Sequence, residues 1–236
     1  MYAINNFKRV YVWESAVRVF HWTNAVAMLV LGITGYIIGN PPALMSGAEA
    51  TNQYWFGVVR FVHFGAAYVF TFAMIYRLIW ALMSNKYANW RAFFPYHKKG
   101  MKNLKHVLRI DILLQNPEED DYSGISVGHN ALAAISYTFL FLLMGIQIFT
   151  GFGLYADNAT WFVPKLFSWV VPLLGGDAQA RLIHHIVMWL MAMFVVVHVY
   201  LVMYHDWLEE RGEISSMFGG YKFIRSERVK DEKLKK

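Results

Sequence analysis

Charged side chains are absent from most of four long stretches of this chain and crowd the segments between them. Crossing the hydrocarbon of a bilayer takes about 20 helical residues, and each stretch is long enough. The first lies between Arg18 and Glu49, with Val19 to Ile38 as its apolar part. The second runs from Tyr54 to Met83 and is interrupted by Arg60 and Arg77. The third falls within Tyr122 to Ala156, and the fourth between Arg181 and Asp206. Inside lipid every backbone N–H and C=O must be paired within the protein, so each stretch is expected to be a helix. The pattern predicts an all-α membrane protein, a four-transmembrane-helix bundle over 19–207 with spans 19–40, 54–83, 129–156 and 180–207.

The basic residues give the expected orientation. Lys8, Arg9 and Arg18 precede the first span; Lys86, Arg91, Lys98, Lys99, Lys102, Lys105 and Arg109 fill the central loop 84–128. A further cluster from Arg211 to Lys236 follows the fourth span, whereas the other two connections hold chiefly Lys165 and the boundary residues Arg60 and Arg181. Lys and Arg accumulate on the cytoplasmic side. The N-terminus (1–18), the central loop and the C-terminus with its tail (208–236) are therefore expected to be cytoplasmic. In the loop, Met101, Leu104, Leu108 and Ile112 recur at helical spacing among lysines, as in a helix lying on an anionic leaflet. On the outer side, Leu166 to Leu174 is too short to span and contains Pro172; it is expected to lie along the interface or against a partner. No internal repeat stands out.

Composition narrows the class. Charged residues make up 16% of the chain and hydrophobic ones 57%, against about 25% charged in a soluble domain. A formal charge of +6 does not indicate nucleic acid, because the basic residues sit between apolar spans rather than along one folded face. The lipid bilayer is the expected partner. There is no cysteine, which excludes disulfides, iron–sulfur clusters and covalent c-type haem attachment. Any redox group must be held by histidine, methionine or oxygen ligands. The N-terminal segment lacks a short apolar core followed by a small-residue cleavage site, so the first span is expected to be retained.

Nine histidines are present. His97 and His106 fall in the charged loop and read as surface residues, while His129, in Gly128-His129-Asn130, reads as a capping or interface residue. That leaves His21, His63, His184, His185, His198 and His205. An ionisable group in a span is costly and usually faces the bundle interior with a partner. For one isolated histidine a hydrogen bond to a neighbouring helix would be the ordinary explanation. The spacing of the set points elsewhere.

His184 and His198 are 14 residues apart, about 40° short of four full turns, with a rise of roughly 21 Å. They point to nearly one face at two depths. His185 stands roughly 140° from His198, so it is expected to face a neighbouring helix or the surface. By topology, His21 is level with His198 near the cytoplasmic side, and His63 is level with His184 near the outer side. Each pair can give an iron two axial imidazoles, an arrangement suited to electron transfer. Two b-type haems are expected, on His21/His198 and His63/His184.

Three more residues fit this frame. Gly35 lies 14 after His21, where a glycine would let a flat macrocycle approach the backbone. Arg77 lies 14 after His63, and Arg60 one turn outside it; each can pair with a haem propionate or simply snorkel to an interface. Gly145, Gly151 and Gly153 can serve the same approach or close helix packing. Structural zinc is the competing metal, but it needs ligands gathered around one centre, whereas these histidines divide into two levels.

These residues resemble the cytochrome b subunit of membrane-bound [NiFe] uptake hydrogenases over about Tyr11 to Phe223. The resemblance is carried by Trp13-Glu14-Ser15-Ala16-Val17-Arg18-Val19-Phe20-His21-Trp22, by Gly35-Tyr36-Ile37-Ile38-Gly39-Asn40-Pro41 and by Arg60-Phe61-Val62-His63-Phe64. Arg77 to Tyr87, Gly128-His129-Asn130, Thr150-Gly151-Phe152-Gly153-Leu154-Tyr155, the His184 to His198 helix and Ser215 to Tyr221 add to it. Ala131 departs from the proline expected there, and His185 from the basic or apolar residue usual beside the ligand. The histidine frame alone is shared with formate dehydrogenase membrane subunits, the alternative reading. A haem-free helical anchor or transporter is the alternative from another class.

The resemblance implies residence in the bacterial cytoplasmic (inner) membrane. It also implies hydrogenase small and large subunits on the outer side, delivering electrons through the small subunit's iron–sulfur clusters to the outer haem. The inner haem would then pass them to menaquinone or ubiquinone, and this chain would hold no hydrogen-activating site. A dimer of complete assemblies is compatible with the family. His205 lies two turns beyond His198 on nearly the same face; with Tyr204 and Asp206 it is the candidate quinone and proton site, unless the three only anchor the helix in the interface.

Overall fold

The computed structural model describes residues 7–42, 54–93, 128, 131–209 and 212–225. Its long elements are α1 (Ser15–Gly39), α2 (Trp55–Met83), α3 (Ala131–Ala156) and, after the single-turn helices α4 (Phe162–Lys165) and α5 (Val170–Leu173), α6 (Asp177–Glu209). A short α7 (Glu213–Gly219) follows. All four long helices are long and apolar enough to cross a membrane, over Ser15–Gly39, Trp55–Met83, Leu132–Ala156 and Asp177–Tyr204. The central-loop helix expected around Met101, together with His97, His106 and His129, lies outside the described residues.

The helices are built inside out relative to a water-soluble protein. On α1 the exposed large apolar residues are Val19, Trp22, Val26, Leu29, Ile33 and Tyr36, and on α6 they include Leu182, Ile186, Trp189 and Met193. On α1 the series steps by three or four residues, which makes one apolar stripe along the helix; on α6 the exposed apolar face broadens over Val195, Val196, Val197, Val199 and Tyr200. Asn24, Thr34, Arg77 and Thr150 are buried instead. A stripe of exposed Val, Leu and Ile with polar groups turned inward is the arrangement lipid favours.

The chain divides into two compact units. The first comprises Met1–Val19, Leu78–Phe141 and Val195–Lys236. Here the expectation of an all-helical protein needs correcting. Strand β1 (Phe7–Tyr11) pairs antiparallel with β2 (Tyr221–Arg225), Phe7 opposite Arg225 and Tyr11 opposite Tyr221. Both segments are rich in the aromatic and branched residues that suit a strand, and both lie outside the spans. Gly220, at φ +83°, ends α7 in a left-handed turn that only glycine adopts cheaply. Its carbonyl accepts the backbone N–H groups of Val12 and Trp13 at 2.8 and 3.1 Å.

Val12, Trp13, Val17 and Ala88 form the core of this unit, with Val10, Trp80, Tyr87 and Met217 packed against it. Glu14 accepts hydrogen bonds from Trp80 Nε1 (3.0 Å) and the backbone N–H of Asn85 (3.3 Å). Asn85 Nδ2 donates in turn to the Val12 carbonyl at 3.0 Å. The Arg18 guanidinium donates to the carbonyl of Phe218. Lys222, nearly buried, pairs with Glu213 at 2.6 Å. The segment before α1 is thereby bound to the end of α2 and to α7.

The second unit comprises Phe20–Arg77 and Leu142–Phe194. Phe64 stacks on Tyr155 with ring centres 4.2 Å apart, and Tyr68 meets Phe152 at 5.1 Å. These contacts hold α2 to α3. Leu166 to Leu174, the segment expected along the outer interface, follows α4, contains α5 and packs on α3. Phe167 stacks on Phe152 at 5.3 Å. A Cβ at Gly153 would stand 3.1 Å from Val170 Cβ and 3.3 Å from the Phe167 carbonyl oxygen, so that glycine permits the close approach.

Candidate functional site

His63 and His184, two of the three candidate ligands in the second unit, are both half-buried. They are near enough to interact electrostatically. A Cβ at Gly35 would meet His63 Cε1 at 3.2 Å and Met188 Sδ at 3.7 Å. Met188 is one turn beyond His184 on α6, so α2 and α6 both reach α1 at this level. Gly35 therefore gives the His63 ring a close seat on α1. Gly151 does the same for His184, with a Cβ there falling 3.2 Å from His184 Cε1.

Each ring is also held at Nδ1. Thr34 Oγ1 lies 2.9 Å from His63 Nδ1, and Thr150 Oγ1 lies 2.8 Å from His184 Nδ1. These threonines escaped the sequence reading. The available signal was a Thr-Gly step at 34–35 and again at 150–151, each inside an uncharged span.

The remaining site residues are distributed as follows. His21, half-buried, belongs to the second unit, with its ring edge-on to Trp22 at 5.1 Å. His198 belongs to the first, and α6 carries both it and His184. His185 packs on the end of α1, where a Cβ at Gly39 would overlap its imidazole. Arg77 is 2% exposed and is among the largest fully buried side chains described. Arg60 is exposed, its guanidinium 5.8 Å from the centre of the Phe64 ring. Tyr204 stacks on Tyr200 at 6.1 Å. Asp206 Oδ1 accepts the backbone N–H of Ile214 at 3.3 Å, fastening α6 to α7. The His205 side chain lies outside the described residues.

The donor set fits haem. Among the described residues no three His, Asp or Glu side chains gather around one point; His63 and His184 are two imidazoles close enough to interact. Tethering Nδ1 leaves Nε2, the nitrogen on the far side of Cε1, for a metal. The two glycines keep the Nδ1–Cε1 edge of each ring pressed to a helix backbone. Helices long and apolar enough to cross a membrane that bring two such imidazoles together are of the class that could hold a haem.

Similarity to known proteins agrees with that class. The model of the prokaryotic cytochrome b561 family matches residues 12–220, and the chain belongs to this family. It is thus a b-type cytochrome of the membrane, an electron-transfer protein whose prosthetic group is haem b. Its relatives include a probable Ni/Fe-hydrogenase B-type cytochrome subunit of Azotobacter vinelandii, 36% identical over 93% of this chain and 90% of that one. A protein of the same description from Cupriavidus necator is 36% identical over 93% and 89%. The probable Ni/Fe-hydrogenase 1 B-type cytochrome subunit of Escherichia coli is 32% identical over 90% of each chain.

Proposed function

We propose that this chain is the di-haem cytochrome b of a [NiFe] hydrogenase complex, carrying electrons from the hydrogenase small subunit across the cytoplasmic membrane to quinone. The single observation behind this reading is the pair of imidazoles His63 and His184, each bound to a threonine hydroxyl through Nδ1. In the proposal these two hold the outer haem, and His21 with His198 holds the inner one. The buried Arg77 neutralises a propionate of the inner haem, and Arg60 is the candidate for the outer.

When bound, haem b supplies reversible one-electron exchange between ferric and ferrous iron without an open coordination site. The chain's own residues supply geometry and field. Two histidines per site would hold the iron, glycines would set the depth of the rings, and buried cationic charge would favour the reduced state. Lys and Arg enrichment in the central loop and at both ends supports cytoplasmic termini. His63 and His184 would then face the hydrogenase side, and His21 and His198 the cytoplasm. Tyr204, His205 and Asp206 are the candidates for the quinone side, with menaquinone or ubiquinone as acceptor.

The test is to isolate the complex from membranes under gentle detergent and supply hydrogen. The reading expects a hydrogenase small and large subunit to accompany the chain, and its haem bands to become reduced under hydrogen alone. A chain that travels with a different dehydrogenase, or whose bands stay oxidised beside an active hydrogenase, contradicts it. Replacing His205 by Ala should slow quinone reduction while leaving hydrogen-driven haem reduction intact; a wild-type rate removes His205 from the quinone site.

A further inference from the structure

We infer that Thr34 and Thr150 are positioning residues that set the tautomer of the outer ligand pair, presenting Nε2 of His63 and His184 as the iron donors. The inference rests on the proposal that these histidines bind haem. It begins with the single proton of each hydroxyl. Thr34 Oγ1 lies 2.6 Å from the Val30 carbonyl oxygen, and Thr150 Oγ1 lies 2.7 Å from that of Ile146. Both are bonds to the residue four back along the helix, a common use of threonine in membrane helices. Two oxygens that close would repel with no proton between them. The hydroxyl proton is thus spent on the carbonyl.

Toward the histidine, each hydroxyl can therefore only accept. At 2.9 and 2.8 Å, the shared proton has to sit on the imidazole Nδ1. A neutral imidazole carries one proton, so Nε2 keeps its lone pair. The adjacent glycine completes the grip. With Thr34 at Nδ1 and Gly35 at Cε1 of His63, and Thr150 and Gly151 at the same atoms of His184, each ring is held along one edge. The same three-part device occurs twice: a Thr-Gly step on one helix, α1 or α3, and a histidine on another, α2 or α6.

A hydrogen bond accepted from Nδ1–H makes the imidazole a stronger donor, which favours ferric iron. Removing the acceptor should therefore raise the midpoint potential of the outer haem. It should also weaken haem retention by about 10- to 100-fold, the usual effect of losing such a partner. Thr34→Val and Thr150→Val keep the side-chain shape and delete the hydroxyl; Thr34→Ser and Thr150→Ser restore it.

The experiment is a redox titration with low-temperature electron paramagnetic resonance on the purified complex, with the inner haem as internal control. The valine variants should move the potential and g-values of the outer haem alone, and the serine variants should return them toward wild type. If either valine variant fails to assemble, the other and the serine pair still carry the comparison. His63→Ala separates the two levels of the argument. Full haem content in His63→Ala contradicts the ligand assignment itself. Loss of one haem there, with unmoved potential and g-values in the valine variants, overturns only the role of the threonines.

Discussion

The imidazole of His185 occupies the space that any side chain at Gly39 would need, while its sequence neighbour His184 is held by Thr150 at 2.8 Å. Two adjacent histidines thus serve two helices. His185→Ala is expected to leave the haem content unchanged, because its ring packs on α1 and is not tied through Nδ1 to Thr150 in the way His184 is. Pyridine haemochromogen analysis of the purified variant checks this; loss of a haem would move the ligand assignment to His185.

Much of this architecture could be read from the sequence because lipid imposes simple rules. Charge is excluded from hydrocarbon, so the four helices announce themselves, and the histidine spacing along α6 follows from helical geometry. The threonines could not be found that way. Thr34 and Thr150 matter only because α2 and α6 bring histidines to them, and a hydroxyl in a span ordinarily bonds its own backbone, as both of these also do. The pairing of β1 with β2 was equally hidden, since it joins segments more than 200 residues apart and depends on the turn at Gly220. The spacing put Gly35 level with His63, but the contact between Gly35 and the His63 ring required knowing the neighbour.

Crowding the seat of a ring should disturb its iron without unfolding the protein. In Gly151→Ala the new methyl group would press within about 3.2 Å of His184 Cε1, and overpacking of this kind typically costs about 1–3 kcal/mol. The expected result is a shifted or broadened band of one haem in the reduced-minus-oxidised spectrum, with the other band unchanged. Gly57→Ala, on the exposed side of α2, is the control, since a Cβ there meets nothing within 4 Å. It should give a wild-type spectrum.

Arg77 carries a full positive charge in a span and is 2% exposed. A positive charge held beside a haem would stabilise the electron that arrives on reduction. Arg77→Met should therefore lower the midpoint potential of the inner haem, because lost positive charge disfavours reduction. Arg77→Lys should retain most of it. Potentiometric titration resolves the two haems, and an unchanged inner potential in Arg77→Met would remove Arg77 from that site.

The pair Lys222–Glu213 lies mostly out of solvent, with side chains 5% and 25% exposed. Glu213→Ala strands the ammonium group against Trp13, whose ring centre is 5.4 Å away. Breaking a buried pair costs about 3–5 kcal/mol. Glu213→Ala is expected to lower the thermal midpoint in detergent, and adding Lys222→Met should recover most of the loss. Failure of the double variant to recover would mean that the pair does more than neutralise charge.

Glu14 takes hydrogen bonds from Trp80 and Asn85, and bonds to a charged group contribute about 1.5–3 kcal/mol each. Glu14→Ala should destabilise the first unit and expose β1 to protease, as read by limited proteolysis of the detergent-solubilised protein. Outer-haem content should stay at its wild-type value, because Glu14 belongs to the other unit.

The most direct measurement is the ratio of haem b to polypeptide in the purified wild type and in His63→Ala, His184→Ala, His21→Ala and His198→Ala. The account predicts two haems per chain in the wild type and one in each variant. The same spectral band should be lost in the first two variants, and the other band in the last two. A folded wild-type chain with fewer than two haems, or variants whose losses fall into different pairs, would contradict it.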